Sequence, residues 1–298
     1  MKFKYHLAIL LAAIYYGLVS VGGKYFADLG FSLYEIASLI LFAAAVLLPV
    51  LLISPRVRIA QHELPFYVLF GLLGAALQLT QYAGIVLGLP VAVVALLLYT
   101  QPVWTTLLGK VLLNERITGT KVMAAVIALL GTLVLIDPFG KAVRFNLVGV
   151  VCALAAGFLL SLWVIWGRKS GLRGQHFVTS TFGYFFFTSC FMLVFYPFVA
   201  VFLDDPQFVR FDFSVYAAHW QAVVLFAVVA NVLPALLALV GMQKVDASTA
   251  GILLLFEPVS AALLARVFFR QALTENVWLG GGLILLANLV LVRRRDEG

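Results

Sequence analysis

Ten apolar runs, each near the ~20 residues that a helix needs to cross a bilayer, occupy almost the whole chain. They fall at 6–27, 32–53, 64–87, 90–113, 119–136, 146–167, 176–203, 216–241, 247–269 and 276–292. Inside hydrocarbon no water completes the backbone hydrogen bonds, so each run is read as a helix. The composition agrees: 64% of the 298 residues are hydrophobic and only 11% charged, where a soluble domain carries roughly a quarter. The expected fold class is an all-α integral membrane protein of ten transmembrane helices.

The net charge of +7 does not mark a nucleic-acid surface, because the basic residues lie in short segments between the apolar runs. That is the pattern of membrane topology. With the amino terminus placed in the cytoplasm, 14 of the 20 Lys and Arg residues fall on that side and 6 on the other. This favours both termini inside and a multi-pass protein of a bacterial or archaeal cytoplasmic membrane. The start, MKFKYHLAILLAAIYYGLVSVGG, lacks a small-residue cleavage site and reads as an uncleaved first helix. Cys152 and Cys190 both sit inside apolar runs, so no disulfide is expected. Connections such as GLP, NERITG and GRKSGLRG are short; the longest, DDPQFVRFDF, holds nothing like a soluble domain.

Residues 92–136 moved forward by 156 fall on 248–292. Pro102 meets Pro258, Thr118 meets Thr274, Lys110 meets Arg266, and Gln101 meets Glu257. The first copy holds spans four and five, the second spans nine and ten. An offset of five spans is odd, so the halves cross the membrane in opposite directions, as in secondary transporters built from inverted repeats. The expected division is 1–138 for the first five helices and 144–293 for the second five.

The half-repeat LLLYTQPVWTTLLGKVLLNERIT and its echo LLLFEPVSAALLARVFFRQALT resemble the EamA domain of the drug/metabolite transporter superfamily. So do the preceding GLLGAALQLTQYAGIVLGLPVAVVA and NVLPALLALVGMQKVDASTAGI. The resemblance covers the chain as two EamA copies. It implies two inverted five-helix repeats, movement of small organic solutes such as amino acids, and a cavity lined by spans one, three, four, six, eight and nine. Three positions depart from the family pattern: Gln271 stands where the first copy has the acidic Glu115, YEIASLILF lacks an arginine of the second helix, and Tyr16–Gly17 replaces a Trp-Gly pair.

Glu257 lies about eleven residues, roughly 16 Å, into span nine, directly before Pro258. Gln101 precedes Pro102 in the same way. Each proline removes one helical hydrogen bond, so both are helix kinks, and irregular backbone at this depth belongs beside a cavity or within protein. A carboxylate there is a functional candidate: a contact for a substrate ammonium or a proton-coupling group, against the alternative of a protonated side chain bonded between helices. Lys24 is the one basic residue placed to reach it, or else snorkels to the surface. In span three Gln78, Gln81 and Tyr82 share a helical face, as cavity lining or as bonds between helices. Tyr16, Tyr99, Trp163 and Asn231 complete the substrate-binding set, with Tyr15 and Trp166 as further candidates. The four histidines lie at span ends without metal-ligand spacing, and no glycine-rich nucleotide loop is present. The expectation is a secondary active transporter, not an enzyme, using no cofactor or metal. Its partners are a small-molecule substrate, the lipid bilayer and, as candidate coupling ions, protons. An intramembrane enzyme and a lipid-moving protein are the alternatives.

Overall fold

The structure, a computed structural model, describes residues 3–54, 57, 59–137, 146–202 and 205–293. Ten helices in it are long and apolar enough to cross a membrane: α1 (Phe3–Asp28), α2 (Leu33–Ile53), α3 (Gln61–Val86), α4 (Val91–Leu113), α5 (Gly119–Ile136), α6 (Leu147–Leu172), α7 (Phe177–Val201), α8 (Trp220–Met242), α9 (Ala247–Phe269) and α10 (Glu275–Val292). The protein is a multi-pass, all-helical membrane protein, and the described residues contain no strand. The segment 138–145 between the two halves lies outside the described residues, as do Lys2, Arg56, Arg58, Lys141, Arg144, Arg294 and Arg295 of the orientation count.

Local chemistry sets the helix ends. The Asn146 side chain accepts from the amides of Val148 and Gly149 at 3.0 and 3.3 Å, and Thr118 Oγ1 from that of Lys121 at 3.3 Å, satisfying donors that a helix start leaves free. α6 runs five residues past its expected end, through Arg168 and Lys169, where cations suit the negative end of a helix. α8 starts four residues later than expected, because a separate short helix, Phe213–Ala218, ends at His219.

The two prolines do more than kink their helices. α4 consists of α4a (Val91–Leu98) and α4b (Gln101–Leu113), and α9 of α9a (Ala247–Leu254) and α9b (Glu257–Phe269). Gln101 and Glu257 each open the second half, with proline next, where its missing N–H costs nothing. Two further irregularities had no sequence forecast. α2 is interrupted between Ala37 and Ile40. α8 contains a π-helical turn, Ala227–Val232, just before Pro234, which cannot donate to the carbonyl of Ala230.

Packing recurs at an interval of five helices. α3 packs on α6 as α8 does on α1; α4b packs on α6 as α9b does on α1; α3 packs on α7 as α8 does on α2. α5 and α10 pack on each other. They approach closely at Gly131 and Gly280, where a Cβ on Gly131 would lie 2.7 Å from the Gly280 carbonyl oxygen. Small residues at such a seam let backbones approach.

The connection after α7 folds over the start of α2. There the fully buried Glu35 carboxylate accepts from Arg210 Nε (3.2 Å) and Nη2 (3.0 Å), and from the amides of Asp212 (2.9 Å) and Ser32 (2.7 Å). The Ser32 hydroxyl accepts in turn from the Glu35 amide, closing a capping box. Hydrogen bonding to Glu35 raises the Arg210 pKa further, and bonds from the Ser214 hydroxyl and amide lower that of Asp212. Burial, and then the Glu35 charge, push the Tyr216 phenol up.

Gly131→Leu is expected to force α5 and α10 apart. It should lower the midpoint of thermal unfolding in detergent, by the equivalent of about 1–3 kcal/mol for an overpacked seam, while Gly282→Leu, which meets nothing within 4 Å, leaves it within experimental error.

Candidate functional site

All nine residues read from the sequence as substrate contacts line one cavity of about 160 Å³. α1 supplies Tyr16, α3 supplies Gln78, Gln81 and Tyr82, and α4 supplies Tyr99 and Gln101. Trp163 comes from α6, Asn231 from α8 and Glu257 from α9. The breaks are what bring them together. The interruption of α9 delivers Glu257 to the wall at the start of a half-helix, and the π turn of α8 carries Asn231. π-Helical turns are frequent at functional sites because the extra residue redirects side chains.

The two repeat-related polar residues play different parts. Gln101 is 2% exposed and donates its amide to Thr105 Oγ1, which donates back to the Gln101 carbonyl at 2.9 Å. Its counterpart Glu257 is only half-buried and opens into the cavity, with the phenols of Tyr99 and Tyr16 as its electrostatic neighbours. Lys24 does not reach it: the Lys24 ammonium pairs with Asp28 at 2.9 Å and lies over the Phe269 ring. The Glu257 carboxylate therefore faces the cavity without that cation.

An aromatic row forms one side. Tyr16 meets Trp163 edge-on at 6.3 Å between ring centres, and Trp163 meets Tyr184 edge-on at 6.0 Å. The Trp163 indole N–H is buried with no protein acceptor. The wall thus offers a carboxylate, four amide side chains, of which Gln101 is already bonded to Thr105, four phenols and an unused N–H donor among apolar side chains. This mixture suits a small polar solute, and a cationic group in particular. Among the described residues no three His, Cys, Asp or Glu side chains come together.

Two helices outside the expected list also contribute. α2 gives Ile36, Ala37, Leu39 and Ile40, and α7 gives Tyr184 and Phe185. In TFGYFFF the hydroxyl of Tyr184, the one phenol among phenylalanines, is the signal that could have marked it. Tyr15 and Trp166 are not in the wall; Trp166 stacks on Phe66 at 6.3 Å instead.

The cavity is closed on one side. The face that carries the amino terminus also carries the α4–α5 and α8–α9 connections. Toward it, α9a packs against α4b and α6, and the second half of α8 packs against α6 and α7. The five-helix relation predicts equal packing of α4a against α9b and α1 at the opposite face, and no comparable packing occurs there. The lining residues lie toward that opposite face: Ile36 near the start of α2, and Gln78 to Tyr82 in the last part of α3.

Comparison with known proteins gives one consistent picture. A family model described as the EamA-like transporter family matches twice, at residues 3–137 and 147–293. An uncharacterized transporter of Clostridium kluyveri is 23% identical over 96% of this chain and 92% of its own length. One of Archaeoglobus fulgidus is 25% identical over 97% and 99%. A solved crystal structure superposes with a TM-score of 0.75 at 20% identity, over 99% of this chain and 98% of its own. At that identity the likeness speaks for the fold.

A Cβ on Gly251 would lie 2.5 Å from Gln101 Nε2. Gly251→Ala is therefore expected to lower thermal stability by displacing the Gln101 amide from Thr105, and Gln101→Ala in the same chain should relieve the clash. The double-mutant cycle should show a coupling of about 1 kcal/mol or more; additive effects would mean that the amide moves freely.

Proposed function

The chain belongs to the EamA-like transporter family, and from that membership we propose that it is a secondary active transporter of small organic metabolites carrying an ammonium group, amino acids foremost. The observation that carries this reading is the convergence of nine polar and aromatic side chains from six helices on one cavity at the helix breaks. Glu257 is the contact for the ammonium and the coupling group for protons. Gln78 and Gln81 serve the polar remainder of the solute, and the Tyr16–Trp163–Tyr184 row its apolar part. The Trp163 N–H, lacking a protein acceptor, is a donor for a solute carboxylate or carbonyl.

Alternating access is the proposed mechanism. A cavity packed shut on one face and lacking the equivalent packing on the other is one state; exchanging the roles of the related helices generates its mirror. The helices α1, α8 and α9 and the helices α3, α4 and α6 form the two bundles that rock. Both termini are assigned to the cytoplasm from the distribution of basic residues, which makes the packed face the cytoplasmic one. Family analogy favours export.

The enzyme alternative finds no comparable support. An enzyme needs a nucleophile with its base, a metal or paired carboxylates, whereas the ionisable side chains of the cavity are Glu257 and four tyrosines. A lipid-moving protein also needs a polar path for its headgroup, and is told apart by its cargo, a lipid rather than a water-soluble solute.

In proteoliposomes with labelled amino acids and organic cations, the wild-type protein is expected to accumulate one solute saturably under an imposed pH gradient. Glu257→Gln should reduce that accumulation by about tenfold or more, the consequence of losing a charge-assisted contact of about 1.5–3 kcal/mol. Unchanged accumulation in the variant would reduce Glu257 to a structural residue.

A further inference from the structure

At the packed face, the link between α4 and α5 reaches across to the start of α9. Glu115 follows the left-handed Asn114 that ends α4b. Its Oε1 accepts from the Ala247 amide at 2.6 Å, and its Oε2 from the Ser248 amide at 3.1 Å and the Ser248 hydroxyl at 2.8 Å. Asp246, the residue in the capping position of α9a, makes no cap bond itself; the cap comes from the other half of the protein. Beside it Lys121, 5% exposed, donates to Asp246 Oδ2 at 2.9 Å and to the Arg116 carbonyl at 3.0 Å. A carboxylate at a helix start gains from both the free amides and the helix dipole.

The repeat offset of 156 residues supplies the comparison. Glu115, Lys121, Asp246 and Ser248 correspond to Gln271, Val277, Pro90 and Ala92. At the opposite face the carboxylates, the cation and the hydroxyl are all absent from these positions, and only the neutral amide of Gln271 is left. Gln271 is exposed, and α4a begins at Pro90 with no side-chain cap. The backbone donors that a mirrored cluster would use, the amides of Val91 and Ala92, have no carboxylate partner among the described residues.

We infer that Glu115, with Lys121, Asp246 and Ser248, forms a one-sided latch that holds the packed face shut and sets the resting state of the protein. The inference rests on the alternating-access reading and adds what biases it. Glu115 is a positioning residue: it touches no solute, but it ties α4b to α9a below the two breaks that carry Gln101 and Glu257. Solute movement through this face requires all three of its bonds to open. Among the described residues of the other face no carboxylate bridge joins the repeat-related ends of α9b and α4a, so the two states differ in free energy although their helices are related.

The test reads accessibility and uses no solute, so its failure is separable from failure of the transport reading. Cys152 and Cys190 are replaced by alanine, and Leu108→Cys, on α4b and packed against the core, reports on the packed face. A membrane-impermeant thiol reagent is applied separately to each side of oriented vesicles. Glu115→Ala is expected to speed labelling from the packed face by about tenfold, the population shift from losing a charge-assisted bond. Glu115→Gln keeps the side-chain length and one acceptor; it should give a smaller rise and serves if the alanine variant does not fold. A mirrored latch, Gln271→Glu with Ala92→Ser in the Glu115→Gln chain, should further raise that labelling and slow labelling of Val19→Cys, in the cavity wall, from the opposite face. Folded Glu115 variants that label at the unmodified rate would overturn the latch and leave Glu115 a helix cap.

Discussion

Every backbone N–H and C=O inside a bilayer must find its partner within protein, and the arrangement of this molecule follows from where that rule is strained. Among the described residues four of the ten helices break α-helical geometry: α2 and α4 are interrupted, α8 widens into a π turn, and α9 is interrupted, while Pro49 in α2 and Pro197 in α7 each remove one further helical bond without breaking the helix. Facing lipid, such backbone would be costly. All four irregular helices instead contribute to the same cavity, at or beside the irregularity: Leu39, Tyr99, Asn231 and Leu255 are in its wall. The cavity is thus both the site of irregular backbone and the reason it is tolerated.

The same strain gives the cavity its polarity. A half-helix starting within the membrane presents free amides, and the chain places Gln101 at one such start and Glu257 at the other. Sequence symmetry made these two residues equivalent; packing does not. Gln101 is spent on Thr105 inside the closed seam, and Glu257 is left open to the cavity. The difference tracks the one-sided packing of the bundles, so a symmetric pattern of residues yields an asymmetric state.

Much of this was legible in the sequence. The ten runs gave the helices within a few residues, because a membrane segment needs only length and apolarity to be recognised. The nine cavity residues stood out because each polar or amphipathic side chain in an apolar run needs a partner other than lipid. Tyr184 escaped among the aromatics of α7, although its hydroxyl is the signal that sets it apart from the phenylalanines of TFGYFFF. The α2 contribution escaped because Ile36 to Ile40 are apolar and could equally have met lipid. Glu115 could be seen as a departure between the repeats, but its partner lies 132 residues away, and only folding brings them together. The Lys24–Glu257 pairing failed for a local reason: Asp28, one turn along the same helix, satisfies the lysine first.

α5 and α10 take no part in the cavity wall, to which the other eight helices all contribute, and they pack chiefly on each other through Gly131 and Gly280. Their residues answer to fit alone. The protein therefore separates two demands that most binding proteins must meet with the same residues. A brace of two helices can stay fixed while the lining changes to suit a new cargo, and a change of cargo need not disturb the joint that holds the halves together.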